Sequence, residues 1–301
     1  MHPNPVLEKL GYSSADRVAI IHTDDIGMCQ ASVSAFTELW DFGLISSGAA
    51  MVPCPWFLEA AAFCRESPQV DMGLHLTLTS EWESYRWGPI STRDPGSGMI
   101  DFEGCFYRTS EEAQERGDPE AVQLELRAQV ERAIALGINP THIDTHMGAV
   151  AHPKFLPGYL QLAVQYAVPA MIMRMDEQGW LDFGLEPETA KLAALVVVQT
   201  EEIGIPLLDH LGGLALDQSA TLEERIGYAK RSFDELKPGI THFIIHPSKD
   251  TPELRAITPD WPHRVADYQA FKSEELRDYI QQSGIQVIGY RTLKELMPSL
   301  S

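Results

Sequence analysis

The sequence predicts an α/β fold, a (β/α) barrel rather than an open sheet. Three observations carry this reading. Short β-branched or apolar runs alternate with amphipathic helical patterns along most of the chain, which implies parallel strands with covering helices. Eight such runs can be placed, from 18–23 to 285–290. Ionisable residues gather at the ends of those runs, where barrel enzymes keep their chemistry.

The elements follow in order. The run VAIIHT (18–23) suits a strand buried on both faces. CQASVSAFTELWDFG follows as a helix: Val33, Phe36, Leu39 and Trp40 share a face, and Gly43 stands just past its end. Strands are expected at 45–52, 70–78, 141–146, 170–175, 205–209, 241–246 and 285–290. The clearest helix is 119–136, where Val122, Leu126, Val130, Ala133 and Leu136 form one stripe and Gly137 closes it. Further helices are expected near 56–66, 155–167, 186–200, 221–236 and 273–283. Only 80–118 breaks the rhythm. It is rich in Gly, Trp, Pro and charge, and reads as a long loop insertion after the GLHLTL strand. A chain of 301 residues can form one barrel, so we expect a single catalytic domain over 1–301 with 80–118 inserted into it.

Composition narrows the function. A net charge of −20 argues against nucleic-acid or anionic-membrane partners. No apolar run nears the roughly 20 residues of a bilayer span, and the N-terminus lacks the basic and apolar regions of a signal peptide. The expectation is a soluble cytoplasmic protein, with a homo-oligomer left open. The four cysteines show no CxxC spacing, which speaks for buried thiols rather than a thiolate metal site.

The chemistry concentrates in four places. Asp24 and Asp25 follow the first strand, His75 lies in MGLHLTL, His142 and His146 bracket THIDTH, and His246 ends HFIIH. Parallel strands would bring these groups to one mouth. If 141–146 is a strand, His142, Asp144 and His146 share a face; as a helix, His142 and His146 would still do so at i, i+4. Pinned between Pro140 and Gly148, the stretch is short for a helix. One carboxylate and two imidazoles suit a divalent metal with open positions, whereas histidines satisfied within a core are the plainer alternative.

The motifs TDDIG, GLHLTLT, THIDTH and IIHP, in this order, resemble those of the YdjC-like carbohydrate deacetylases, as does the closing SEELRDYIQQSGIQVIGYRTL. The resemblance runs over roughly 18–295. It implies a distorted, TIM-like barrel holding one divalent metal ion, zinc or magnesium, and hydrolysis of an N-acetyl group from an amino sugar or short oligosaccharide. By position, Asp25, His75 and His146 match the metal ligands, Asp24 the candidate general base, and His246 the late histidine expected to act as acid or to orient. Two departures stand out. THMG replaces the usual SHHHVH, and Ile26 replaces a phenylalanine. The loop after the second motif is also atypical, so chitooligosaccharide specificity is not carried over.

Adjacent strand residues point in different directions, so Asp24 and Asp25 are expected to have different partners. Asp144 would orient a ligand histidine or cap a turn. His142 is placed beside the site. Arg174 would bind substrate hydroxyls or pair with Asp176. In the insertion, Arg86 is a substrate-binding candidate. Trp82 and Trp87 would stack on sugar faces or anchor the loop. A metal-dependent sugar isomerase or aldolase, and a non-catalytic sugar-binding relative, are the competing readings.

Overall fold

The computed structural model describes residues 2–298. Seven parallel strands make one sheet: β1 (Arg17–Ile26), β2 (Ser47–Ala50), β3 (Met72–Leu76), β4 (Ile143–Thr145), β5 (His210–Gly213), β6 (Gly239–Ile245) and β7 (Gln286–Val287). Their order is β4-β3-β2-β1-β6-β5, and β7 pairs with β1. β1 therefore has three neighbours. β6 runs along one edge; β7 covers the other edge at Val18 and Ala19, and β2 covers it from His22 onward. Val18 to Ile21 are fully buried, as a β-branched run in a covered parallel sheet should be.

The sheet curls into a distorted (β/α) barrel. Between β4 and β5 the ring is joined only by single bridges, Ile143 to Ala170 and Met173 to Leu208. Here the expected strands at 170–175 and 205–209 do not form ladders; β5 begins only at His210. Pro169 and Pro206 explain part of this, since proline brings no N–H to a ladder. The last expected strand, 285–290, is also short. It gives way to the helix Tyr290–Lys294.

The helices cover the outside. Gln30–Phe42, Phe57–Glu66, Pro119–Ala135, Leu156–Gln165, Pro187–Glu202, Leu222–Asp234 and Glu274–Gln282 lie near their expected positions. The helix Trp261–Phe271, which supplies a site residue, is not among the expected elements. Two buried polar residues on Pro119–Ala135 tie the insertion to the barrel. Gln129 pairs with both backbone groups of Thr77, and Glu125 accepts from the N–H groups of Ile90 and Ser91. The buried ends of Gln129 and Glu125 are thus both hydrogen-bonded, as burial demands. Among the described residues, no helix is long and apolar enough to cross a membrane.

The barrel axis is polar. His142 stacks on Tyr290 with centroids 3.7 Å apart, and the Tyr290 hydroxyl pairs with Nδ1 of His242 at 2.7 Å. Asp71 accepts from the hydroxyls of Ser47 and Thr141 and from the N–H of Arg291. Gly73 makes room for this plug. A Cβ there would lie 2.3–2.5 Å from three atoms of the His142 ring, over its face, and Tyr290 leaves that ring no retreat. Gly73→Ala is therefore expected to destabilise the protein by about 1–3 kcal/mol. Urea unfolding measures this, and an unchanged midpoint would show that the ring is free to move.

Candidate metal and catalytic site

The site begins with an irregularity in β1. Thr23 pairs with Gly48, but Ile26 pairs with Ala50, so β1 carries one extra residue between them. Asp25 takes φ 60°, a left-handed conformation rare outside glycine but tolerated by aspartate. Such bulges re-aim side chains beside active sites. In a regular strand Asp24 and Asp25 would face opposite sides. Here both turn toward His75, which corrects the expectation that neighbours at a strand end diverge.

His75 stands in β3 with Nε2 3.5 Å from Asp25 Oδ1 and 3.8 Å from Asp24 Oδ2. Its Nδ1 pairs with Asp144 Oδ1 at 2.8 Å. His146 follows β4 on a tight turn, where Met147 has φ 51°. Its Nδ1 is 3.2 Å from Asp25 Oδ1, and its Nε2 is 3.1 Å from Glu81 Oε2. Asp25 Oδ2 accepts from Arg264 Nη1 at 2.6 Å. Asp24 Oδ1 pairs with His22 Nδ1 at 2.7 Å, and Asp24 Oδ2 is 3.8 Å from His246 Nε2. The two aspartates thus share His75 yet have separate second partners.

Electrostatics follow from these contacts. Burial opposes ionisation of Asp25, but Arg264 and His146 hold its carboxyl well below the usual range. Asp24 is likewise lowered: burial works against His75 and His22, and the histidines win. Burial disfavours a charged His75, yet Asp144 and Asp24 carry its pKa up to about 9. Glu81 and Asp25 similarly outweigh burial at His146 and carry it up to about 10. His246 goes the other way; burial, aided by Arg264, lowers it despite both aspartates.

Asp25, His75 and His146 each offer a donor atom, all within 4.8 Å of one another. Asp25 Oδ1 is buried without a hydrogen-bond partner and faces both imidazole nitrogens. An anionic oxygen and two nitrogens so arranged fit a divalent ion of the zinc type. A deeper group, His22, Asp24, Asp144 and His242, is also compact. There both nitrogens of His22 are already hydrogen-bonded, to Asp24 and to His142 Nε2 at 2.8 Å. We read His22, Asp144 and His242 as part of the polar plug, with Asp24 at its border with the site.

Several candidates lie elsewhere. His142 is below the site, in the plug. Arg174 is not at the mouth: its Nε donates to Glu201 Oε1 at 2.6 Å and Nη1 to the His2 carbonyl. It lines a cavity of about 460 Å³ with His2, Asn4, Asp209 and Gly239, at the N-terminal ends of β5 and β6. Arg86 is held inside the insertion by Asp101, Glu103 and the Phe106 carbonyl. Trp87 is 4% exposed, and its indole N–H donates to the Thr79 carbonyl at 2.8 Å. It packs beside His146, with ring centroids 6.4 Å apart, so it anchors the loop instead of offering a stacking face. Trp82 is also buried, under Arg264. Neither Arg264 nor Glu81 was foreseen. Arg264 meets Asp25 across 239 positions, which no local pattern reveals, whereas the carboxylate of Glu81 directly after GLHLTLTS was a usable signal.

A parallel (β/α) barrel with one carboxylate and two histidines converging at one mouth defines a barrel protein with a candidate metal site. Within that class, the chain belongs to the YdjC-like protein family, whose model matches residues 18–282. A curated Thermus thermophilus protein named carbohydrate deacetylase is 33% identical over 272 residues, 90% of this chain and 92% of that one. A Brevibacillus brevis protein of the same name is 27% identical, covering 91% and 98%. The crystal structure of an Enterococcus faecalis V583 protein, named provisionally for cellobiose-phosphate cleavage, superposes with a TM-score of 0.72 at 23% identity, covering 92% and 99%. It supports the fold.

Proposed function

We propose that this chain is a metal-dependent carbohydrate deacetylase that hydrolyses the N-acetyl group of an amino sugar or short oligosaccharide. The observation that carries the reading is the convergence of Asp25, His75 and His146, with ionised Asp24 beside them. The names of the curated relatives supply the substrate class. A divalent ion held by these three residues would supply Lewis acidity toward the acyl oxygen and the attacking water.

The remaining work falls to the chain. Asp24 Oδ2 faces the reaction space while Oδ1 is fixed by His22, so Asp24 is the base that takes the water proton as oxygen bonds to the acyl carbon. His246 Nε2 lies beside the same oxygen. Its lowered pKa makes it neutral at rest, so the proton it hands on is the one Asp24 has accepted. The C–N bond breaks as the amine takes that proton, leaving acetate and the free amino sugar. Arg264 keeps Asp25 anionic and fixes its orientation. The rival barrel readings, isomerase or aldolase, explain less, because nothing in the relatives' names points to them.

The test is acetate release from a panel of N-acetylated amino sugars, from monosaccharide to short chitooligosaccharides. Release from at least one at enzymatic rates supports the reading; none with metal-loaded protein would favour a sugar-binding relative.

Metal binding should also be coupled to protons. His75 and His146 hold protons up to about 9 and about 10, yet a metal-bound imidazole is neutral. At neutral pH, binding therefore expels protons. Apparent affinity should rise with pH by up to about 100-fold per unit, the limit for two protons, and level off once both rings are neutral. Calorimetry in buffers of different ionisation enthalpy measures the release. Affinity that does not change with pH would contradict these assignments.

A further inference from the structure

The two candidate ligand histidines are presented by opposite ring nitrogens. His75 turns Nε2 toward Asp25, and Asp144 holds its Nδ1. His146 turns Nδ1 toward Asp25, and Glu81 holds its Nε2. Resting on the metal reading above, we propose that Glu81 is a positioning residue of the metal centre: it fixes the N–H of His146 on Nε2 and so presents the Nδ1 lone pair.

A ligand histidine ordinarily gives its second N–H to a carboxylate or carbonyl, which sets the tautomer and the ring angle. His146 has particular need of such a partner. It stands outside the β-ladder on a turn that includes Met147 and Gly148 at positive φ, so the strand does not aim it as β3 aims His75.

Glu81 is built to serve. Ser80 before it donates its N–H to the Tyr107 carbonyl at 2.8 Å, and its hydroxyl accepts from the Trp87 N–H at 3.0 Å. After it, the buried Trp82 has its carbonyl engaged by Arg108. The carboxylate is therefore offered from a fixed backbone, with only a fifth of its side chain exposed. This gives the 80–118 insertion a function at the site: its first residues hold one ligand from outside the barrel.

The experiment titrates metal-free protein with zinc against a competing chelator, for wild type, Glu81→Ala, Glu81→Gln and the exposed control Glu83→Ala. Glu81→Ala should bind zinc about 10- to 100-fold more weakly. Glu81→Gln, which keeps an acceptor, should fall between it and the wild type, and Glu83→Ala should match the wild type. Nitrogen-15 spectra of the zinc-loaded wild type should show His146 protonated on Nε2 and His75 on Nδ1. Wild-type affinity in Glu81→Ala, or in Glu81→Gln with the His146 tautomer unchanged should the alanine variant not fold, overturns the proposal and leaves the metal centre standing. A wild type that binds no divalent ion removes both.

Discussion

Asp24→Asn is expected to lower kcat for acetate release by about 100- to 10,000-fold, the usual contribution of a general base, while the metal content stays at the wild-type level. The substitution preserves shape, and the amide oxygen can still accept from His22 at the position of Oδ1. Only the capacity to take a proton is lost. Because Asp24 is not among the three converging donors Asp25, His75 and His146, the ion should remain. Near-normal turnover in this variant would remove Asp24 from the mechanism, and metal loss would make it a ligand. Measuring both quantities on the same sample separates the outcomes.

Asp25→Asn should have two large effects. It removes the only anion of the donor set, so metal affinity should collapse. It also leaves the buried Arg264 guanidinium with Asp260 as its remaining carboxylate. Stripping one partner from a buried pair costs about 3–5 kcal/mol, and Asp260 should hold the loss near the lower end. A second change, Arg264→Met in the same chain, should recover part of the stability but none of the metal binding. If Asp25→Asn unfolds at the wild-type midpoint, the Arg264 pair contributes nothing.

Much of this site could be read from residue order. Strand-end positions marked Asp24, Asp25, His75 and His146, because a β-branched run and a following helix place a junction where barrels keep their chemistry. The periodic stripe of 119–136 likewise marked its helix. What escaped was the direction of side chains and contacts across long separations. The bulge that turns Asp25 depends on how β1 registers against β2, which a single strand does not encode. Arg174 ended a strand-like run and looked like a mouth residue, yet the broken ring at Pro169 and Pro206 leaves it beside His2 and Glu201. Arg86 read as a substrate contact, and Trp87 as a sugar-stacking ring or a loop anchor. The insertion instead folds on its own tryptophans and on Asp101.

The proposed chemistry depends on one divalent ion held by Asp25, His75 and His146. The most direct measurement is the metal content of the purified wild type beside His146→Ala, by elemental analysis after mild dialysis. About one ion per chain is expected in the wild type and its loss in the variant, because a three-residue site loses a ligand. A wild type that stays metal-free after addition of zinc, magnesium or manganese, or a His146→Ala protein that keeps its ion, would contradict it.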